Sequence, residues 1–129
     1  MARTLVSAQL PPLATGATYF PTLPLSAGTA KRNFAAADAT NNNYTPIVSG
    51  KTYLNVLNTD TSAHSVTIHS VVDAQNRSGD ITSYNVPAGE VHTFGPFTTS
   101  PTGWAQTAPA GLWFDCSSSL LFVNVEQVP

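Results

Sequence analysis

From Gly50 onward the pattern becomes that of strands, in which apolar residues two apart lie on one face. Leu54 and Val56 alternate this way in 52–58, and Val66 and Ile68 in 65–69. The turn-forming cluster 58–62 between them predicts a hairpin with a loop of about six residues. Residues 81–86 form the next predicted strand, with Tyr84 and Val86 on one face. Pro87-Ala88-Gly89-Glu90 reads as a tight turn, because proline pre-sets the backbone at the second position and glycine tolerates positive φ after it. A strand at 91–94 follows, broken or bulged by Gly95-Pro96 before Phe97. Residues 98–111 read as a long connection holding Pro101, Gly103, Pro109 and Gly111. In the strand predicted at 112–116, Leu112, Phe114 and Cys116 face one way. Residues 120–127 are near-continuously apolar, which predicts a central strand.

The first third of the chain differs. Residues 1–33 hold Pro11, Pro12, Pro21 and Pro24, a density that forbids a helix interior and removes ladder donors. The same stretch carries Leu5, Val6, Leu10, Leu13, Tyr19, Phe20, Leu23 and Leu25, too apolar for a flexible linker. An extended arm of this kind gains most by lying on its own domain or on a neighbour, with disorder as the alternative. Residues 34–49 fit either one helical turn around 34–39 or a loop with one short strand. The expected organisation is a Pro-rich N-terminal arm over 1–33 and a sandwich domain over 34–129. Short strands, Gly/Pro/Asn turns and almost no helical periodicity make the fold class all-β, an antiparallel β-sandwich.

Composition changes this picture in one respect. Asp, Glu, Lys and Arg make up only 9% of the 129 residues, with a net charge of −2, against about 25% in an ordinary soluble domain. Ser, Thr and Asn fill 38 positions. The exterior is therefore hydroxyl and amide rather than ionic. Such a surface is cheaper to bury against a partner than a charged one, although compositional drift in a β protein produces it too. It offers no basic stripe to neutralise phosphates, so nucleic acid is not an expected partner. The longest strictly apolar run, 120–123, is far too short to span a bilayer, so no membrane is expected. The start lacks a sustained hydrophobic stretch, and one cysteine forms no internal disulfide framework; folding in a reducing cytosol is the expectation.

Candidate chemistry is sparse, and no cofactor or metal is expected. His64 and His69 have opposite strand parity, so one strand cannot aim both at an ion, and His92 stands apart from them. The acids Asp38, Asp60, Asp73, Asp80, Glu90, Asp115 and Glu126 are scattered, mostly beside turns. Cys116 has no base beside it and reads as a small core residue. Ser117-Ser118-Ser119 lacks the glycine-flanked elbow of a hydrolase. The sequons at Asn43 and Asn76 read as chance matches in an Asn/Thr-rich chain. Trp104, in the long connection, could stack on a sugar, anchor a partner, or plug one end of the sandwich. The candidate contact residues are Leu5, Val6, Leu10, Leu13, Tyr19, Phe20, Leu23 and Leu25 of the arm, together with Trp104.

Three blocks taken together carry a resemblance: 50–58 (GKTYLNVLN), 86–97 (VPAGEVHTFGPF), and 112–117 (LWFDCS) leading into 120–125. In this order they resemble the capsid decoration, or cement, proteins of tailed bacteriophage heads, over roughly residues 44–128. The resemblance implies a sandwich, often jelly-roll-like, on the outer surface of an icosahedral virion shell. It implies a non-enzymatic protein made in the host cytoplasm, with the major capsid protein as partner and a homo-oligomer, a trimer above all, as its state. A terminal arm would then serve as a strap, and deletion of residues 1–25 is expected to weaken shell binding while leaving the sandwich folded. The alternatives are a carbohydrate-binding or adhesin-like sandwich and another virion component of the tail or fibre base.

Overall fold

The computed structural model describes residues 2–9, 33–73, 75, 77–99 and 103–128. Its strands are β1 (Thr4–Leu5), β2 (Ala8–Gln9), β3 (Ala35–Ala36), β4 (Asn43–Thr45), β5 (Thr52–Asn58), β6 (His64–His69), β7 (Ile81–Val86), β8 (Val91–Phe97), β9 (Gln106–Thr107), β10 (Ala110–Cys116) and β11 (Leu121–Gln127). They form two sheets. The first runs β1-β4-β10-β6-β7, with β9 added to β10; the second runs β2-β11-β5-β8, with β3 added to β11. The protein is all-β, its pairings antiparallel except where β1 joins β4 and β2 joins β11.

Alternation decides what lies between the sheets. Leu54 and Val56 of β5, with Leu121, Val123 and Val125 of β11, meet Val66 and Ile68 of β6 and Leu112, Phe114 and Cys116 of β10 in one buried core. Burying each larger apolar side chain contributes roughly 1.5–3 kcal/mol. The predicted hairpin between β5 and β6 does not form. The two strands exist, but β5 pairs with β11 and β8, whereas β6 pairs with β10 and β7. Both carry apolar rows that face the same core, so the chain crosses from one sheet to the other. Asn58 holds that crossing. Fully buried, it donates from Nδ2 to the Ser62 and Val86 carbonyls and accepts the Asp60 N–H on Oδ1. The tight turn before β8 is likewise a crossing between sheets.

Other boundaries shift as well. Residues 34–49 hold two short strands, β3 and β4, rather than a helical turn. β8 continues through Gly95-Pro96 to Phe97, with its register against β5 displaced there. Gly95 has φ +126, and a Cβ on it would meet the Thr52 carbonyl oxygen at 2.8 Å. β10 begins at Ala110, two residues early, because β9 gives its first residues a partner.

Residues 2–9 lie across one open side of the sandwich. β1 runs along the β4 edge of the first sheet, and β2 runs along β11 of the second. Thr4 and Val6 donate backbone N–H groups to the Asn42 and Tyr44 carbonyls, and the Val6 side chain packs against the core. This part of the expected arm belongs to the sandwich. The other open side, between the β7 and β8 edges, is closed by side chains: Tyr84 meets Phe94 and His92 edge-on, with ring centroids 5.0 and 5.4 Å apart.

Candidate functional site

The outer face of the second sheet departs from the usual solvated pattern of an antiparallel sheet. Phe122 of β11, Leu57 of β5 and Val91 of β8 are paired in register and form an apolar row across three strands. Next to it run Asn124, Asn55 and Thr93. Asn55 donates from Nδ2 to Asn124 Oδ1 (2.9 Å) and Glu126 Oε1 (2.7 Å), and accepts the Thr93 hydroxyl on Oδ1 (2.6 Å). Asn124 in turn donates to the Asn33 carbonyl. Asn55, Asn124 and Glu126 are all buried. Glu126 is the one acidic or basic residue among the described strand positions of this face. Val91 is 54% exposed. Phe34, Asn55, Leu57, Val91 and Thr93 line a groove of about 260 Å³ along the row.

The outer face of the first sheet is built differently. Tyr44, Trp113 and His69 lie in register on β4, β10 and β6. Arg3 reaches over from the strap with its guanidinium 4.5 Å from the Trp113 ring centre. It donates to Asp115 Oδ1 (2.7 Å) and to the Asn43 carbonyl (3.0 Å). The second oxygen of Asp115 lies 2.6 Å from His69 Nε2, and His69 Nδ1 lies 3.5 Å from Asp80. A second fastening holds the strap: Asp38 accepts the Thr4 hydroxyl at 2.6 Å while its other oxygen accepts the Thr40 and Asn41 N–H groups. Those bonds, the Asn41 amide first and the Thr4 hydroxyl next, lower the Asp38 carboxyl from 3.8 to about 2.

No family model, curated protein or solved structure matches this chain. Its chemistry is therefore read from the residues alone. Each histidine has a carboxylate of its own: His64 with Asp60 at 2.7 Å, His69 with Asp115, and His92 with Glu90 at 2.8 Å. The bond from His64 is the main cause that holds Asp60 below the usual carboxylate range. Tyr84 Oη, His92 Nδ1 and Glu90 line up as a hydrogen-bonded chain, with 2.8 Å at each step. Tyr84 and His92 cap the rim of the core there, and the chain joins the two free edges. Among the described residues no three His, Cys, Asp or Glu gather as a metal site.

Cys116 is buried in the core, and burial, reinforced by the Asp115 charge, pushes its thiol up to about 12. Asn43 is also buried, exchanging hydrogen bonds with the Asp38 backbone, so its sequon is out of reach in the folded protein.

Of the candidate contact residues, Leu5 is half exposed on β1 and Val6 is turned inward. Leu10, Leu13, Tyr19, Phe20, Leu23 and Leu25 lie outside the described residues. Trp104 packs edge-on against Phe97, 5.4 Å between ring centres, and lines a cleft at the loop end of the sandwich. Sequence reading missed the apolar row and the Arg3–Asp115–His69 chain. The parity of Leu57, Val91 and Phe122 carries the signal for the first; which strands stand side by side does not follow from it.

Proposed function

We propose that this chain is a non-enzymatic structural protein that decorates the outside of an assembled phage head and stabilises it by bridging neighbouring capsid subunits. The observation that carries the reading is the outer face of β11, β5 and β8. An apolar row beside a buried amide network, with no exposed charge at its described strand positions, suits contact with another protein surface. The three-block resemblance names the partner as the major capsid protein and a jelly-roll-like strand path as the arrangement. A homotrimer on the virion surface belongs to the same proposal. Whatever binds the shell and not its free subunits favours the shell by mass action. Several such contacts per oligomer raise one another's effective concentration.

The test is co-sedimentation of the purified protein with undecorated, expanded tailed-phage heads, followed by heating of the complex. Saturable binding and a higher temperature of shell disruption are expected. Val91→Lys places an unpaired charge in the contact and should weaken binding by roughly a hundredfold or more. Because Val91 is more than half exposed in the free protein, the variant should melt as the parent does. Absence of binding by the parent, or equal binding by the variant, defeats the proposal. Gel filtration with light scattering reads the oligomer directly.

A further inference from the structure

We propose that the cleft between the β6–β7 and β8–β9 connections is a saccharide site, which seats the apolar face of a pyranose on Trp104 and takes its acceptor groups on Arg77. The cleft is lined by Ser70, Asp73, Arg77, Ser78, Thr98 and Trp104, among others, and opens to solvent with a volume of about 340 Å³. That volume lies in the range of roughly 300–1,000 Å³ of small-molecule sites. It shares no lining residue with the groove beside Leu57 and Val91. The inference stands apart from the decoration reading.

Three features point to a sugar. First, the described lining residues are held in place before any ligand arrives. Asp73 accepts the Gln75 and Arg77 N–H groups on one oxygen and the Arg77 Nε on the other. Asp80 accepts both the N–H and the hydroxyl of Ser70, and the Ser70 Oγ accepts the Gly79 N–H. The two connections are tied together by Val71 N–H to the Gly103 carbonyl (2.7 Å) and by the Gln106 side chain to the Ser70 carbonyl (3.0 Å). Trp104 N–H closes its own loop on the Thr98 carbonyl. Gly103 is needed for that closure, since a Cβ there would fall 2.2 Å from the Thr98 oxygen. A wall fixed in advance keeps the ordering cost of binding small.

Second, the composition matches a ring with one apolar and one polar aspect. Among the described lining residues Trp104 is the one aromatic; Val71 and two glycines line the cleft beside it, and Ser70, Asp73, Arg77, Ser78 and Thr98 bring hydroxyl and charged groups. An indole face covers C–H groups, while the polar groups around it remain wet.

Third, a charged donor stands open at the cleft. Both Asp73 oxygens and the Ser70 hydroxyl are engaged. Arg77 spends Nε on Asp73 and Nη2 on Gln75, which leaves Nη1 without a partner among the described residues. A ligand that brings acceptors is favoured, so a uronic acid should bind better than the neutral hexose of the same ring.

The chain has two tryptophans, and the other, Trp113, does not line the cleft and donates its Nε1–H to the Pro109 carbonyl. Amide-correlated NMR of the full chain therefore offers a probe and an internal control. Titration with glucuronate should move the Trp104 indole signal and leave the Trp113 signal in place. Glucose should move it more weakly, and acetate not at all. Arg77→Ala, at a side chain 74% exposed, should weaken glucuronate binding roughly tenfold, the loss of one charge-assisted contact, with Arg77→Lys restoring part of it. Three results overturn the proposal: a Trp104 signal that moves with neither sugar, one that moves equally with acetate, or one whose response is the same in Arg77→Ala.

Discussion

Removal of the Arg3 side chain tests whether the strap is fastened to the first sheet by side-chain chemistry or only by its short ladder. Arg3 is 13% exposed and Asp115 29%, so the pair lies between a solvated ion pair and a buried one. A fully exposed pair contributes about 0.2–1 kcal/mol. Arg3 adds a hydrogen bond to the Asn43 carbonyl and a contact with the Trp113 ring, and the latter alone is worth about 0.5–1 kcal/mol at partly exposed sites. Arg3→Ala should therefore cost about 2 kcal/mol, less if the strap relaxes locally. For a chain of this size that corresponds to a Tm lower by roughly 6–10 °C. Hydrogen exchange gives the sharper assay. The Thr4 and Val6 amides, bonded to the Asn42 and Tyr44 carbonyls, should lose protection in Arg3→Ala, while the amides of β5 and β11 keep theirs. A cycle with Asp115→Asn should return a coupling of at least about 0.5 kcal/mol. Unchanged protection at Thr4 and Val6, together with zero coupling, refutes the fastening.

Three further outcomes follow from the same structure. Cys116 should resist iodoacetamide at pH 8 in the native protein and react fully in denaturant. Because its folded thiol titrates near 12 against 9.0 unfolded, the folded state holds the extra proton and stability should fall as pH rises from about 9 towards 12, read by denaturant melts with a Cys116→Ala control. Asp38 is shifted the other way, from 3.8 to about 2, so its stabilisation is present above pH 4 and lost as pH falls through the folded value; exchange at Thr4 should rise over that window and do so less in Asp38→Asn. Gly111→Ala forces a Cβ to within 2.2 Å of the Thr45 carbonyl oxygen at φ +134, and should destabilise the fold by more than about 2 kcal/mol in a thermal melt.

The strands were legible because half-buried strands carry a period of two, and that period is a local property. Their partners were not. The stretch between Asn58 and His64 looks the same whether it turns a hairpin or crosses to the opposite sheet, and the choice rests on a buried Asn58 amide that satisfies carbonyls as far away as Val86. Arg3 and Asp115 stand 112 residues apart, and nothing local marks either as the other's partner. Trp104 could be read as a plug or as a ligand platform from its loop position. The structure gives it a packed edge on Phe97 and a place in the cleft wall, which no spacing rule distinguishes. The burial of Asn124 and Glu126 on an outer face was likewise hidden, because parity alone assigns those positions to solvent.

The pairing of Ala8 with Val125 sets an order on biogenesis. On a ribosome the leading strap emerges more than a hundred residues before the strand it must lie against, so the sandwich cannot finish closing until β11 has left the exit tunnel. Until then the β4 edge of the nascent chain has its cover ready, while the strap's second half has no seat. Closure thus waits for β11, with slow, non-local pairing as its last event.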